Sequence, residues 1–289
     1  MTDAYFNHAA TPLRIGRLSL RVRDLGKVSD FYQRVIGLET IHQSAAKVTL
    51  GAGTVPLLEL LGDPSATPRN PRDAGLFHTA FLLPTRADLS RWLAHAVKLG
   101  VRLQGASDHI VSEALYLDDP EGNGIEIYAD RPVSRWRDAA GQIRMATEPL
   151  DIPDLLAAGT GDWAGFPAGG TIGHVHLQVG DTGAADAFYR DVIGLDIASR
   201  YPGASFFGSG GYHHHLAGNI WNSRRAGSRP EGAAGLELLE IVVRDPALRD
   251  AIVKRAEAAG FPAATNGDKP VLRDPWGTAI MLAAQAGLR

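Results

Sequence analysis

The sequence predicts an α+β protein built from four βαβββ modules, each a strand, a helix and three further strands. Two observations carry this prediction. The stretch that begins at Val22 recurs at Val179, so that Asp24, Phe31 and Tyr32 reappear as Asp181, Phe188 and Tyr189. Short runs with an apolar residue at every second position, the period of a strand, follow each helical stretch.

The ends of the four helices are marked by residues suited to caps. A residue whose side chain can accept a hydrogen bond from the first helical turn precedes each helical stretch: Asp24, Thr85, Asp181 and Asp245. A glycine, which tolerates the left-handed conformation of a C-cap, follows each stretch: Gly37, Gly100, Gly194 and Gly260. These caps place the first strand of each module just before its N-cap residue.

A hairpin closes the second module. Apolar residues alternate on both sides of an Asp119-Pro120-Glu121-Gly122 turn, which recurs as Asp274-Pro275-Trp276-Gly277 in module 4. The alternation directs Tyr116 and Glu126 to the face opposite their apolar neighbours. For a lone glutamate, a solvated strand face is the commoner explanation, so the rest of the chain has to decide.

The modules group into two halves. We predict one domain over residues 14–131 with modules 1 and 2, and a second over residues 171–285 with modules 3 and 4. Residues 132–170 are rich in Pro and Gly and have no strand signal, although Leu155 and Leu156 mark one short helix. Residues 1–13 are expected to form a loose arm.

Composition excludes several classes of function. A formal net charge of -3 favours neither nucleic acid nor an acidic membrane surface as partner. We find no apolar run long enough for a transmembrane helix and no signal peptide, so we expect a cytoplasmic protein. The absence of cysteine excludes disulfides, thiolate metal sites and cysteine nucleophiles.

Equivalent positions of the four modules hold different residues. Seven residues before the N-cap stand Arg17, His78, His174 and Leu238. Six residues after the proline of the Asp-Pro turn stand Glu126 and Met281. Two imidazoles and one carboxylate on strands form a facial ligand set with open positions, which suits non-haem Fe(II), although Zn(II) and Mn(II) also fit these ligand types.

Other histidines compete for these roles. His176 shares the strand face of His174, but the register of the repeat favours His174 as a ligand and leaves His176 to contact the ligands. His213, His214 and His215 are predicted on the last strand of module 3. An alternating strand turns either His214 or the other two inward, and the register does not decide between them.

These residues resemble the vicinal oxygen chelate superfamily and, within it, the type I extradiol ring-cleaving dioxygenases such as the bacterial catechol 2,3-dioxygenases. The resemblance runs from about Ile15 to Leu282. Four segments carry it: Leu76–Pro84, Asp108–Pro132, Gly173–Asp181 and Gly210–His215. It implies two cup-shaped, half-open mixed β-barrels, the glyoxalase/bleomycin resistance/dihydroxybiphenyl dioxygenase fold.

The resemblance also implies a function and a set of site residues. The chain would open a catechol-type aromatic ring with O2, as part of aromatic hydrocarbon catabolism, at an Fe(II) ion, with Mn(II) as the alternative. The implied metal ligands are His78, Glu126 and His174. The implied catalytic residues are His214, with His213 and His215 as alternatives for the same acid/base role, Tyr116 and His109.

The distribution of the ligands places the metal cup between modules 2 and 3, whereas in much of the family the ligands lie in the last two modules. We expect a homo-oligomer of unknown size. Two other functions compete: a metal-dependent lyase or isomerase similar to glyoxalase I, and a small-molecule-binding protein without catalysis. The histidine cluster and Tyr116 argue against the first, and the ligand set against the second.

Overall fold

The computed structural model describes residues 4–285. Module 1 contains the first strands and the first α-helix of the chain. A short 3-10 turn, His8–Ala10, precedes it. Its helix widens into a π-helical turn over Tyr32–Ile36. The elements of module 1 are β1 (Leu13–Val22), α1 (Leu25–Phe31), β2 (Glu39–Gln43), β3 (Lys47–Ala52) and β4 (Val55–Gly62).

Module 2 repeats the order with a longer helix. Its last two strands form the predicted hairpin around the Asp119-Pro120 turn. The elements of module 2 are β5 (Gly75–Leu83), α2 (Arg86–Lys98), β6 (Gly105–Asp108), β7 (Ser112–Asp118) and β8 (Gly124–Asp130).

The connection over residues 132–170 contains the predicted short helix, but the prediction that it has no strand is wrong. The helix is α3 (Ile152–Ala157), capped by the Asp151 side chain. A two-residue strand, β9 (Glu148–Pro149), pairs with β6 at the sheet edge. So short a pairing leaves no period in the sequence, which explains why the pattern did not predict it.

Modules 3 and 4 follow the same order. The helix of module 3, like that of module 1, continues as a π-helical segment, Ala187–Ile193. The elements of module 3 are β10 (Thr171–Gln178), α4 (Thr182–Asp186), β11 (Asp196–Tyr201), β12 (Ala204–Gly208) and β13 (Leu216–Asn219). Those of module 4 are β14 (Gly235–Val243), α5 (Pro246–Ala258), β15 (Ala264–Asn266), β16 (Lys269–Arg273) and β17 (Ala279–Ala284).

The helix caps are those predicted. The side chains of the four N-cap residues accept hydrogen bonds from backbone N–H groups of Lys27, Asp88, Ala184 and Ala247 respectively. The four glycines at the helix ends all have positive φ, between 66° and 90°. The polar end groups of each helix are therefore satisfied locally, as the sequence indicates.

The strands form two curled, mixed sheets, so the predicted fold class is confirmed. One sheet has eight strands in the order β15-β16-β17-β14-β1-β4-β3-β2, all from modules 1 and 4. The other has nine in the order β11-β12-β13-β10-β5-β8-β7-β6-β9, from modules 2 and 3 and the connection. Parallel pairs within the sheets include β14 with β17, β5 with β8 and β10 with β13.

Contacts divide the chain into two compact units. Of the described residues, unit 1 comprises 4–6, 22–65 and 78–173, and its buried aromatic residues include Tyr32, Phe81 and Trp92. Unit 2 comprises 7–21, 66–77 and 174–285, with Phe188, Tyr189 and Phe207 buried. The domain bounds predicted from the repeat remain a prediction. None of the described helices has both the length and the apolar character that crossing a membrane requires.

Candidate metal centre

Two of the three predicted ligands lie on neighbouring parallel strands. In the register of β5 and β8, Ala80 pairs with Glu126 and His78 with Gly124. Both side chains point to the face that also carries Tyr116 and Tyr128. His78 Nε2 lies 3.0 Å from Glu126 Oε2.

The third residue, His174, lies on β10 directly after Gly173. That glycine is required by close packing, because a Cβ atom at position 173 would overlap the Tyr128 hydroxyl. One ligand atom from each of His78, Glu126 and His174 lies within 4.8 Å of the other two. The structure therefore brings the three predicted ligands together.

This donor set fits a first-row metal ion. At metal–ligand bonds of about 2.0 to 2.2 Å, two ligands at right angles on one ion lie about 3 Å apart and two opposite ligands about 4.4 Å. All three side chains are buried, with exposed fractions of 7%, 2% and 2% for His78, Glu126 and His174. Burying a carboxylate is costly unless a cation or strong donors compensate it, and a divalent ion would do so.

Tyr116 and His109 form a hydrogen-bonded pair beside this set. Tyr116 lies directly opposite Glu126 in the register of β7 and β8. His109 Nδ1 donates to the Ala146 carbonyl at 2.7 Å, and His109 Nε2 lies 2.6 Å from the Tyr116 hydroxyl, within hydrogen-bond distance. Burial raises the pKa of the Tyr116 phenol well above its ordinary value, and the Glu126 carboxylate raises it further.

The prediction that the three adjacent histidines lie on the last strand of module 3 is wrong. β13 begins only at Leu216, and His213, His214 and His215 form the loop before it. All three are buried. A loop has no alternation, and for this reason all three can be buried together, which the strand pattern excluded.

The three histidine side chains of this loop have different neighbours. The His214 ring lies 4.1 Å from the His174 ring, and its Nδ1 lies 2.9 Å from His213 Nδ1. The His215 ring instead packs against Tyr212 and His8, at 4.7 and 6.0 Å. His214 is thus the member of the loop next to the candidate ligand, and His8, to which the sequence assigns no role, supports the loop.

The residues around His176, which the sequence placed next to the ligands, have no functional signal of their own in the sequence. His176 on β10 accepts a hydrogen bond from the Asn219 amide at 2.9 Å and lies among Phe77, Phe206 and Trp221. Of these aromatic residues, Trp221 lies in a turn after β13, where no periodic pattern distinguishes it from an ordinary apolar residue.

Comparisons with known proteins agree with this architecture. A profile of the Glyoxalase/Bleomycin resistance protein/Dioxygenase superfamily matches residues 14–127 and 171–282, and the chain therefore belongs to that superfamily. It is 41% identical over 267 residues to a catechol-2,3-dioxygenase of Bacillus subtilis (strain 168), covering 90% of this chain and 93% of that protein. The predicted resemblance to extradiol dioxygenases is thereby confirmed, and with it the prediction of an enzyme of that class.

Two further proteins are similar over different extents. The chain is 32% identical over 111 residues to biphenyl-2,3-diol 1,2-dioxygenase 2 of Rhodococcus globerulus, which covers 35% of this chain and 58% of that protein. The crystal structure of glyoxalase I from Zea mays superposes with a TM-score of 0.58 at 16% identity, covering 96% of this chain and 94% of that one. The last comparison supports the fold alone.

Proposed function

We propose that this enzyme opens a catechol-type ring with O2 by extradiol cleavage, at an Fe(II) ion held by His78, Glu126 and His174. The observation that carries the proposal is the approach of two imidazoles and one carboxylate within 4.8 Å in a chain 41% identical to a catechol-2,3-dioxygenase. When bound, the ion would supply the one-electron chemistry that allows O2 to react with an aromatic ring. Mn(II) is the alternative ion.

His214 is our candidate for the acid/base. Its Nδ1 is engaged with His213, so Nε2 is the nitrogen that we assign to taking a proton from a substrate hydroxyl and returning it to the product. The ring lies against His174 and is outside the proposed ligand set, and we therefore expect it to face the substrate.

Tyr116 and His109 would orient the substrate. If His109 is neutral, its Nε2 would accept a hydrogen bond from the Tyr116 hydroxyl, and the phenol oxygen would then accept a hydrogen bond from a substrate hydroxyl. The backbone carbonyl of Ala146 holds His109 in the required tautomer. The pair thus fixes one edge of the ring before any chemistry begins.

The test measures metal content and O2 uptake on the same preparations. Protein purified anaerobically and loaded with Fe(II) should consume O2 with a panel of catechols and form yellow ring-opened products. His78→Ala, His174→Ala and Glu126→Ala should each lose bound metal and activity together. His42→Ala is the matched control, because His42 is an exposed histidine on β2 and should change neither quantity.

Two results would contradict the proposal. If the iron-loaded enzyme consumes no O2 with any catechol, the dioxygenase assignment fails, and turnover of a thiol adduct would then favour a glyoxalase-like lyase or isomerase. If metal remains bound at full stoichiometry in all three ligand variants, the site assignment fails.

A further inference from the structure

A cavity of about 330 Å³ lies within unit 2, beside the first residues of β14. Its volume is at the lower end of the range of small-molecule sites. Its described lining includes neither the candidate metal ligands nor the loop histidines, but it contains three arginines and two glutamates: Arg21, Arg229, Arg273, Glu231 and Glu237. We call it the arginine cavity.

One of the three arginines is engaged with one of the two acids. Arg21 Nε and Nη2 donate to Glu237 Oε2 at 3.1 and 3.0 Å, across β1 and β14. The other acid, Glu231, is an exposed residue of the loop before β14. The Glu237 carboxylate is thus used by Arg21, and the other two arginines decide the character of the cavity.

Arg229 and Arg273 are fixed by backbone carbonyl groups. Arg229 donates to the carbonyl oxygens of Ala234 and Leu236, one from each terminal nitrogen. Arg273 Nη1 donates to the Gly277 carbonyl at 2.8 Å. Carbonyl acceptors hold the guanidinium groups in place without supplying a negative charge, and each group retains further N–H donors.

The charge of Arg229 is held at a cost. Burial lowers the pKa of its guanidinium below the ordinary value. Glu237 raises this pKa in part, whereas the neighbouring cations Arg21 and Arg69 lower it again. An anion in the cavity would offset both the burial and the repulsion between the cations.

The loop that carries Arg229 is tied to a distant segment. The Thr67 N–H donates to the Gly232 carbonyl at 3.2 Å, and the Ala234 N–H donates to the Thr67 carbonyl at 2.9 Å. The donors of the cavity are therefore positioned before a ligand arrives, which lowers the entropy cost of binding.

An apolar wall adjoins the cations. Leu236 and Trp276 line the same cavity and are 4% and 6% exposed. Predominantly apolar walls with a few fixed polar groups are typical of sites for small molecules. The wall would accommodate a carbon skeleton attached to the anionic group.

We propose that the arginine cavity binds the oxyanion group of a small molecule, a carboxylate or a phosphate, with Arg229 and Arg273 as its cationic partners. A guanidinium presents a planar fork of N–H donors that matches the oxygen atoms of both groups. The cavity would be a second ligand site of the enzyme, formed by residues other than those assigned to the metal.

Isothermal titration calorimetry of the full-length protein with inorganic phosphate and with succinate tests this site. We expect saturable binding of at least one probe, and the probe that binds distinguishes a phosphate ligand from a carboxylate ligand. Arg273→Gln and Arg229→Gln should each raise the dissociation constant by about tenfold, because a charge-assisted hydrogen bond to the anion is lost.

Arg190→Gln is the matched control and should bind as wild type does, because Arg190 is paired with Asp191 outside the cavity. Circular dichroism checks the fold of Arg229→Gln, which also loses two hydrogen bonds to the backbone. If that variant does not fold, Arg273→Gln, at an exposed position at the end of β16, decides the test. No saturable binding of either probe, a wild-type dissociation constant in Arg273→Gln, or equal weakening in Arg190→Gln would overturn the proposal.

Discussion

At the scale of single residues, the site depends on where the structure places three adjacent and chemically identical histidines. The His214 ring packs against the His174 ring, His213 is hydrogen-bonded to His214, and His215 faces Tyr212 and His8. Identical side chains thus have different neighbours, and the roles follow from those neighbours.

The first prediction tests the role of His214. We expect His214→Phe to keep its metal, because the residue is outside the ligand set, but to lose about 10²- to 10⁴-fold in turnover, the usual contribution of a general acid or base. His215→Phe is the matched control and should lose much less, since His215 packs away from His174. Steady-state O2 uptake and elemental analysis measure the two effects. Loss of metal from His214→Phe would show that the ligand assignment is wrong.

At the scale of elements, each of the two Asp-Pro turns makes the same kind of long-range contact with a tyrosine, which the sequence did not predict. The Asp119 carboxylate accepts hydrogen bonds from the backbone of its own turn and lies 3.4 Å from the Tyr32 hydroxyl. In the other half, Tyr189 donates to Asp274 at 2.8 Å. The tyrosine of the repeated Phe-Tyr motif thus ties a helix of modules 1 and 3 to the turn of the following module.

The second prediction concerns this contact and pH. Burial raises the pKa of the Asp274 carboxyl, although hydrogen bonds from Tyr189 and the backbone lower it in part. The folded protein therefore takes up this proton at a higher pH than the unfolded chain. The contribution of Asp274 to stability consequently rises as pH falls through its folded pKa towards 3.8, the ordinary pKa of this carboxyl group.

Asp274→Asn removes this titration and one acceptor of the buried network. We expect it to lower the free energy of unfolding by about 1 to 3 kcal/mol at neutral pH and by more near pH 4. Urea unfolding at a series of pH values measures the difference. Asp268→Asn, an exposed acid in the loop before β16, is the control. A difference from wild type that does not change with pH would contradict the raised pKa.

At the scale of the whole molecule, the two sheets carry different side chains at equivalent strand positions. The nine-stranded sheet carries His78, Glu126 and His174. In the eight-stranded sheet the corresponding first-strand residue is Arg17, whose guanidinium lies 3.6 Å from the Glu240 carboxylate. Among the described residues, one group of histidine and acidic side chains is close enough together to hold a metal.

The third prediction is a stoichiometry of about one metal ion per chain. Metal bound only to the folded state stabilises it, by about 4 kcal/mol at a concentration 1,000-fold above the dissociation constant, so a chelator should lower the melting temperature by several degrees. Glu59→Gln, which changes a glutamate of the eight-stranded sheet paired with Lys47, should retain the ion, whereas Glu126→Gln should lose it. Two ions per chain by elemental analysis would contradict the assignment.

The sequence by itself determined the modules, the helix ends and the residues at equivalent positions. These features are local: strand and helix periods, N-cap side chains and left-handed glycines are set within a few residues, so Asp24 or Gly37 can be identified without knowing the fold. The repeat then aligned His78 with His174 and Glu126 with Met281.

Only the tertiary structure decided how distant segments meet. Strand order joins modules 1 and 4 in one sheet and strands of modules 2 and 3 in the other. The candidate ligands led us to expect a cup between modules 2 and 3, but hydrophobic periodicity alone does not specify which strands become neighbours. The hydrogen bond of Tyr189 to Asp274 and the packing of His8 against His215 likewise join residues far apart in the chain. Their positions follow from packing, which a local pattern does not encode.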